Sequence, residues 1–376
     1  MFALTLRQLR LEALRSSLTV LAIAAVIAEI LILEGFLAGL YLQLRQAALN
    51  RGGDLIVTQA GIANFIAARS ILPQTARLDV EAVKGVRVAH PLTGISVIYE
   101  RDGRRTPIIV LVYDSAGGPT DIVAGNRVPV ERGIIIDRAL AVKYDLAPGD
   151  PMTISDFVFT VSGISANSSA FLTPFAFITY DDLIDFYFES DIGADIATFA
   201  LLSFLLVETE PGADLAEVAA RIEERVAVAD VYLPATLAAS DERLGREMLG
   251  PILGLLLVVS YGIGVLVVGM FMFVAIRGRI RDFGVLKALG FPASSLFSSA
   301  LLEALLLTVL ALPVGIALAH AIAAIIHANA PVYLILPTET EGIGRTALAA
   351  LAFAGLGALV PVRAIARIDP ATVFRS

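Results

Sequence analysis

Three carboxylates stand where a chain this apolar tolerates them least. Glu29 and Glu34 interrupt the run SLTVLAIAAVIAEILILEGFLAGL, and Glu303 interrupts another such run, which also carries His320. An ionisable group at membrane depth is costly and by default functional. Glu34 lies near the outer end of its run and reads as a stalk residue. Glu29 is deeper, and reads equally as a functional residue or as a structural or dimer-contact one. A second unusual group is the basic stretch RGRIRDFGVLKALGFP, Arg277 to Pro292, set between two apolar runs. Its Arg and Lys side chains could grip an acidic groove while its apolar residues fill it. The alternative is a membrane-surface helix that snorkels its basic residues. Other reactive side chains are sparse. His90, His320 and His327 are far apart, with no H-E-x-x-H spacing. No cysteine is present, which excludes disulfides and thiolate metal sites. No nucleophile, metal or acid/base set stands at a motif spacing, so the chain is expected to hold no catalytic, cofactor or metal site.

The elements that position these residues are mostly helices of membrane length. The chain has 376 residues, 57% hydrophobic and 17% charged, with a mean hydropathy of +0.79. That composition lies far from the soluble norm. Four runs, 17–41, 250–276, 296–326 and 346–365, are each long enough to cross a hydrocarbon core of ~30 Å at ~1.5 Å per residue. The third is over-long and is expected to tilt or project. The first is about twice the length of a signal-peptide core, and it reads as an uncleaved anchor.

Charge orients the spans. Residues 1–16, 277–295 and 366–376 are net basic, which places them in the cytoplasm by the positive-inside rule. Residues 42–249 hold 17 Lys and Arg against 28 Asp and Glu, and 327–345 carry two Glu and one Arg. Both acidic stretches belong outside. The expected architecture is therefore an α-helical membrane protein with four spans (1+3), both termini inside, and a large α/β extracytoplasmic domain between the first and second spans. Residues 327–345 form a short outer loop.

Within 42–249 the pattern alternates. DLIVTQ, RRTPIIVLVYD and FVFTVSGIS read as strands. LDVEAVKG reads as a short helix with a turn at Gly85. ERGIIIDRALAVKYDLAPGDPMTI reads as strand, helix, turn and strand, and SFLLVETEPGADLAEVAARIEERVAVADVYLP as strand, amphipathic helix and strand. The first and last strand–helix–strand units are expected to share a sheet, with a β-rich lobe inserted at about 108–200. YLQLRQAALN and ASDERLGREMLG read as helical stalks extending the first two spans. DDLIDFYFESDIGAD sets Phe186, Tyr187 and Phe188 among acids, which reads as core packing or as a partner contact.

This layout resembles the permease subunits of the MacB/FtsX/LolC class of ABC transporters. Two motifs carry the resemblance: RDFGVLKALGF, with Arg281, Leu286, Lys287, Ala288 and Gly290, and VPVRAIARIDPATVFR, with Pro361, Ala366 and Pro370. GDLIVTQAG resembles the family's first periplasmic strand. The resemblance implies that residues 277–295 hold the coupling helix that docks on an ATPase. In that helix Phe283, Leu286, Lys287 and Gly290 share one side, and Asp282, Val285, Leu286 and Leu289 the other; Arg281 opens it. No G-x-x-x-x-G-K-[ST] occurs, and 16 residues before the first span leave no room for an ATPase. An unfused subunit of DevC or LolC/LolE type is implied, in the inner membrane. ATP and Mg²⁺ would be bound by two copies of a separate ATPase. The other implied partners are a second permease copy or homologue, a periplasmic adaptor and a lipophilic or amphipathic substrate for export or extraction. The alternative is FtsX-like signalling to a periplasmic hydrolase.

Overall fold

In the computed structural model, residues 13–66, 68–190, 201–277, 285, 287, 289–337 and 340–366 are described. The chain divides into two units. One comprises residues 1–38, 251–325 and 335–376, and the other residues 39–250 and 326–334.

The first unit is helical. Its residues come from α1 (Ala13–Leu49), α6 (Pro234–Arg277), α7 (Ala293–Asn329) and α8 (Thr340–Ala366). Among the described residues, three helices are long and apolar enough to cross a membrane: Ala13–Leu49, Pro234–Phe271 and Phe297–Asn329. Their packed interior joins Ile23, Ile27 and Leu31 of α1 to Val268, Leu307 and Phe353 through many alanines. Small residues let helix backbones approach closely, which is what drives association where lipid removes the hydrophobic advantage of burial. Gly315 illustrates the closeness: a Cβ there would lie 2.7 Å from the Ile27 side chain and 2.9 Å from the Ala24 carbonyl oxygen.

The second unit is built on one mixed sheet of eleven strands. In chain order these are β1 (Leu55–Gln59), β3 (Val86–Arg101), β4 (Arg104–Tyr113), β5 (Asp121–Gly125), β6 (Gly133–Asp137), β7 (Pro151–Ile154), β8 (Phe157–Ala166), β9 (Ser169–Ala170), β10 (Thr173–Thr179), β12 (Phe204–Thr209) and β13 (Ala229–Tyr232). β2 (Leu72–Pro73) and β11 (Leu201–Leu202) form a separate pair. The main order is β13-β1-β12-β3-β4-β10-β6-β8-β5, with β7 on β8 and β9 on β10. The β10–β4 and β6–β8 pairs are parallel, and the other pairs are antiparallel.

The run GIIID of β6 is buried at every position because both faces of the sheet are covered. Ile134 and Ile136 enter a core with Phe157, Phe159 and Leu140, while Ile135 faces the opposite core with Phe175 and Phe177. A third core sets α2 (Thr75–Glu81) and α5 (Leu215–Arg225) against β1 and β12 through Val80, Val218 and Ile222. Asp214 caps α5, accepting from the Ala216 amide at 2.9 Å. Two more helices, α3 (Arg138–Tyr144) and α4 (Tyr180–Glu189), complete the layers.

The first and last strands of the domain do share a sheet, through β1, β12 and β13. The strands within 108–200 do not form a sheet of their own. The long β3–β4 hairpin, paired from Leu92↔Tyr113 to Arg101↔Arg104, carries the same hydrogen-bonded surface into β10, β6 and β8. A boundary at 108 falls inside β4. On α4, Phe186 is buried while Phe188 is exposed.

Candidate functional site

The basic segment after α6 is described only in part; Arg281, Asp282, Phe283, Leu286 and Ala288 lie outside the described residues. Val285 and Lys287 are helical. The Leu289 amide donates to the Val285 carbonyl at 3.0 Å and the Gly290 amide to the Lys287 carbonyl at 3.1 Å. Gly290 has φ +89°, the left-handed geometry that ends a helix and that glycine adopts without penalty. Val285 and Leu289 are exposed apolar side chains. The described part is thus a capped helical turn that presents apolar residues.

The three carboxylates of the apolar runs are all partnered. Glu29 accepts a hydrogen bond from the Ser260 hydroxyl at 3.1 Å. Glu34 accepts from the Tyr261 hydroxyl at 2.7 Å and pairs with Arg345 at 3.3 Å. A Cβ at Gly342 would lie 2.9 Å from a Glu34 oxygen, so the start of α8 passes directly over the carboxylate. Glu34 therefore ties α1, α6 and α8 together, a role beyond that of a stalk residue. Glu303 is buried on α7. Sequence reading missed Tyr261 and Arg345 as partners. One signal was available: Arg345 is the sole basic residue of the acidic stretch 327–345.

In the extracytoplasmic unit the last turns of α1 and the first turns of α6 are built into the sheet's core. Ala47, Ala48, Leu237 and Ala238 pack with Ile56, Phe175 and Phe177. The two helices also grip each other. Arg45 pairs with Glu242 at 3.3 Å, and the Arg246 guanidinium lies 4.2 Å from the Tyr41 ring centre. Asp241 accepts from the Phe65 and Ile66 amides at 2.9 and 3.1 Å, locking α6 to the loop after β1. Gln43 of α1 donates to the Ser169 hydroxyl of β9 at 3.2 Å and to the Val332 carbonyl at 3.0 Å.

Arg51, just past α1, is the deepest anchor. Its guanidinium donates to the Gly117 carbonyl at 2.8 Å and lies 5.3 Å from the Phe177 ring centre. Burial lowers its pKa to about 10. Carbonyl dipoles and ring faces hold this charge; the described residues give it no carboxylate.

A cavity of about 330 Å³ opens on the same domain. Phe65, Phe175 and Phe204 form apolar walls, and Thr93, Ser96 and Arg69 supply polar groups. Elsewhere Ser115, His90 and Glu208 come together, with the Ser115 hydroxyl 2.8 Å from His90 Nδ1 and Glu208 3.4 Å from Nε2. Glu208 is committed to Arg87, and His90 Nε2 makes no hydrogen bond among the described residues. A hydrolytic triad needs its carboxylate hydrogen-bonded to the ring. This cluster instead ties β3 to β12 and to the loop after β4.

Comparison with known proteins fits both units. Residues 16–225, more than half of the chain, match the family described as the MacB-like periplasmic core domain, and residues 254–370 match the FtsX-like permease C-terminal family. An uncharacterized ABC transporter permease of Mycobacterium tuberculosis is 24% identical over 374 residues, 98% of each chain. One of Mycobacterium bovis is 23% identical over 373 residues, again 98% of each. Among solved structures, the periplasmic region of MacB from Actinobacillus actinomycetemcomitans matches with a TM-score of 0.37 and 10% identity, covering 52% of this chain and 95% of that one. The extracellular domain of the noncanonic ABC-type transporter YknZ from Gram-positive bacteria matches with a TM-score of 0.36 and 13% identity, covering 48% and 100%. A membrane protein with a MacB-like periplasmic domain and an FtsX-like C-terminal part, the chain belongs to the MacB/FtsX family of ABC transporter permeases.

Proposed function

We propose that this permease couples ATP hydrolysis by a separate ATPase chain to a conformational change in its extracytoplasmic domain, and so exports or extracts a lipophilic or amphipathic substrate. ATP and Mg²⁺ bind the ATPase, two copies of which join two permease subunits. The chain sits in the inner membrane with four spans, α8 supplying the fourth, and with both termini in the cytoplasm. The observation that carries this reading is the dual character of α1 and α6. Each holds a stretch apolar enough to span a membrane, and each has a terminal turn in the core of the sheet domain. A displacement of either helix end cannot leave Ile56, Phe175 and Phe177 in place, because packed cores switch between arrangements and do not stretch continuously. The cavity with phenyl walls and hydroxyl groups suits an amphipathic cargo.

Cysteine crosslinking tests the stroke, on a background free of native cysteine. Single cysteines at Leu49 and Glu247, in the two stalks, are expected to crosslink between subunits with an efficiency that changes when a non-hydrolysed ATP analogue binds the full complex. Disulfides require Cα atoms within roughly 7 Å, so the reaction reports distance sharply. Equal crosslinking with and without nucleotide at every stalk position overturns the mechanism. A second test is the double change Leu286→Asp and Leu289→Asp, which is expected to abolish ATPase co-purification while the permease still inserts.

A further inference from the structure

The turn joining β9 to β10 is conformationally costly and chemically exposed at once. Thr173 pairs with Ala170, so Phe171 and Leu172 alone make the turn. Their φ values are +52° and +63°. Two positive φ angles define the hairpin turn that asparagine and glycine fill well, and bulky side chains there are outliers. Both side chains are also exposed, at 37% and 41%. A turn that is strained and also presents apolar groups outward is kept for something other than folding.

Its surroundings indicate what it meets. Phe171 lines a cavity of about 150 Å³ with Leu44, Ile66, Leu244 and Met248. The one acid at its wall, Asp241, is occupied by two backbone amides. Leu44 lies three residues beyond the end of the first span at residue 41, and Met248 two residues before the second span begins at 250. At ~1.5 Å of helical rise per residue, both lie within about 5 Å of the hydrocarbon boundary. The headgroup layer is itself roughly 5–8 Å thick on each side. With the spans ending at 41 and beginning at 250, helix continuity keeps Leu44 and Met248 within the outer headgroup layer, and Phe171 shares their cavity. Met248 is itself 59% exposed. Gln43, one residue before Leu44, holds the hairpin through Ser169.

We infer that the Phe171–Leu172 turn is a lipid-contacting tip, which inserts into the outer headgroup–acyl boundary and meets the upper end of a phospholipid acyl chain beside Leu44 and Met248. Aromatic and aliphatic side chains partition into this layer. The inference rests on the span boundaries used above, and it adds a lipid-binding role for the domain itself.

The chain contains no tryptophan, so a single introduced one reports without background. Three full-length variants would be reconstituted in phosphatidylcholine nanodiscs containing lipids brominated high on the acyl chain: Phe171→Trp, Leu266→Trp in α6 and Phe188→Trp on α4. The expected result is blue-shifted, bromine-quenched emission for Phe171→Trp and Leu266→Trp, and unquenched, iodide-accessible emission for Phe188→Trp. Quenching of Leu266→Trp with water-like, unquenched emission from Phe171→Trp overturns the inference and leaves the spans intact. Failure of both to quench overturns the span assignment instead. A second variant guards against misfolding. Phe171→Asn with Leu172→Gly supplies residues the turn favours, and is expected to raise the domain's melting temperature while lowering the phosphatidylcholine that co-purifies from nanodiscs into detergent at least several-fold. Unchanged phosphatidylcholine retention in that stabilised variant also overturns the inference.

Discussion

The two units solve packing in opposite ways. Among the described residues, seven of the fifteen in the helical unit's core are alanine, whereas only two of nineteen are in the largest core of the sheet domain, which is built on Phe157, Phe159, Phe186, Tyr99 and Tyr144. Water drives the second: each large side chain withdrawn from it stabilises the fold by about 1.5–3 kcal/mol. Lipid offers no such gain, since a leucine is as well solvated among acyl chains as among helices. The helices therefore associate through close contact, and small residues make contact possible. One chain thus obeys two rules, and the rules predict opposite sensitivities to side-chain size.

The largest expected effect is in the sheet domain. Phe159 is fully buried against Phe157 and Phe186. Phe159→Ala should cost about 3–5 kcal/mol, read as accelerated amide exchange in β6, β8 and β10 with the helical unit unchanged. Loss of protection in the helices as well would break the distinction between units.

Next is a pH effect confined to the domain. Burial raises the Asp137 carboxyl from 3.8 to about 6, although the Ala139 and Ser168 amides donate to it at 2.8 and 3.0 Å. The folded state thus holds this proton more tightly than the unfolded state. Its favourable contribution is complete below about 4 and is lost as pH rises through about 6, a span of about 3 kcal/mol. Domain stability should fall over that window. Asp137→Asn should flatten the curve, as measured by denaturation at pH 4, 5, 6 and 7.

The converse size test is Gly315→Val in the helical unit. The new Cβ meets the Ile27 side chain and the fixed Ala24 carbonyl, so α1 and α7 must part. Overpacking of this kind costs about 1–3 kcal/mol, measurable as a loss of resistance to SDS unfolding. Full tolerance of valine would mean the alanine-rich contact does not hold the helices.

The smallest effect concerns Glu34. The side chain of Arg345 is 60% exposed but that of Glu34 only 4%, so neutralising the carboxylate loses the ion pair and relieves a buried charge together, and the two effects offset. Glu34→Gln keeps an acceptor for the Tyr261 hydroxyl and should be nearly neutral. Glu34→Leu orphans that hydroxyl and should cost about 1–3 kcal/mol. Equal costs for both would mean that charge, not hydrogen bonding, organises the three helices.

Sequence alone conveyed these units unevenly. Long apolar runs identify helices by length, and alternation in FVFTVSGIS or the short apolar run of GIIID identifies strands. What each strand pairs with was not legible. The continuity of β4 with β10 depends on a parallel pairing between residues sixty-odd positions apart, and no local pattern records it. That is why a separate lobe at 108–200 was a natural expectation. Arg51 was likewise illegible. It sits in NRGGD, which reads as a polar turn, and its ring partners arrive from β10 more than a hundred residues later. The Glu34 cluster was half legible: the acid was conspicuous, but its partners lie in helices whose rotation a sequence does not give.

The pairing of β1 has a consequence for biogenesis. Leu55 meets Val207 and Ile56 meets Tyr232, partners some 150 to 180 residues downstream. At ~5–20 residues synthesised per second, β1 waits roughly 8–30 s for β12 and roughly 9–35 s for β13. Its Leu55, Ile56 and Val57, all fully buried in the folded domain, meanwhile lie on an unpaired strand. Local pairing between β3 and β4 needs no such wait, whereas β1 joins the sheet only once β12 is made, and β13 completes it. Until then the unpaired edge of β1 is open to any other extended strand.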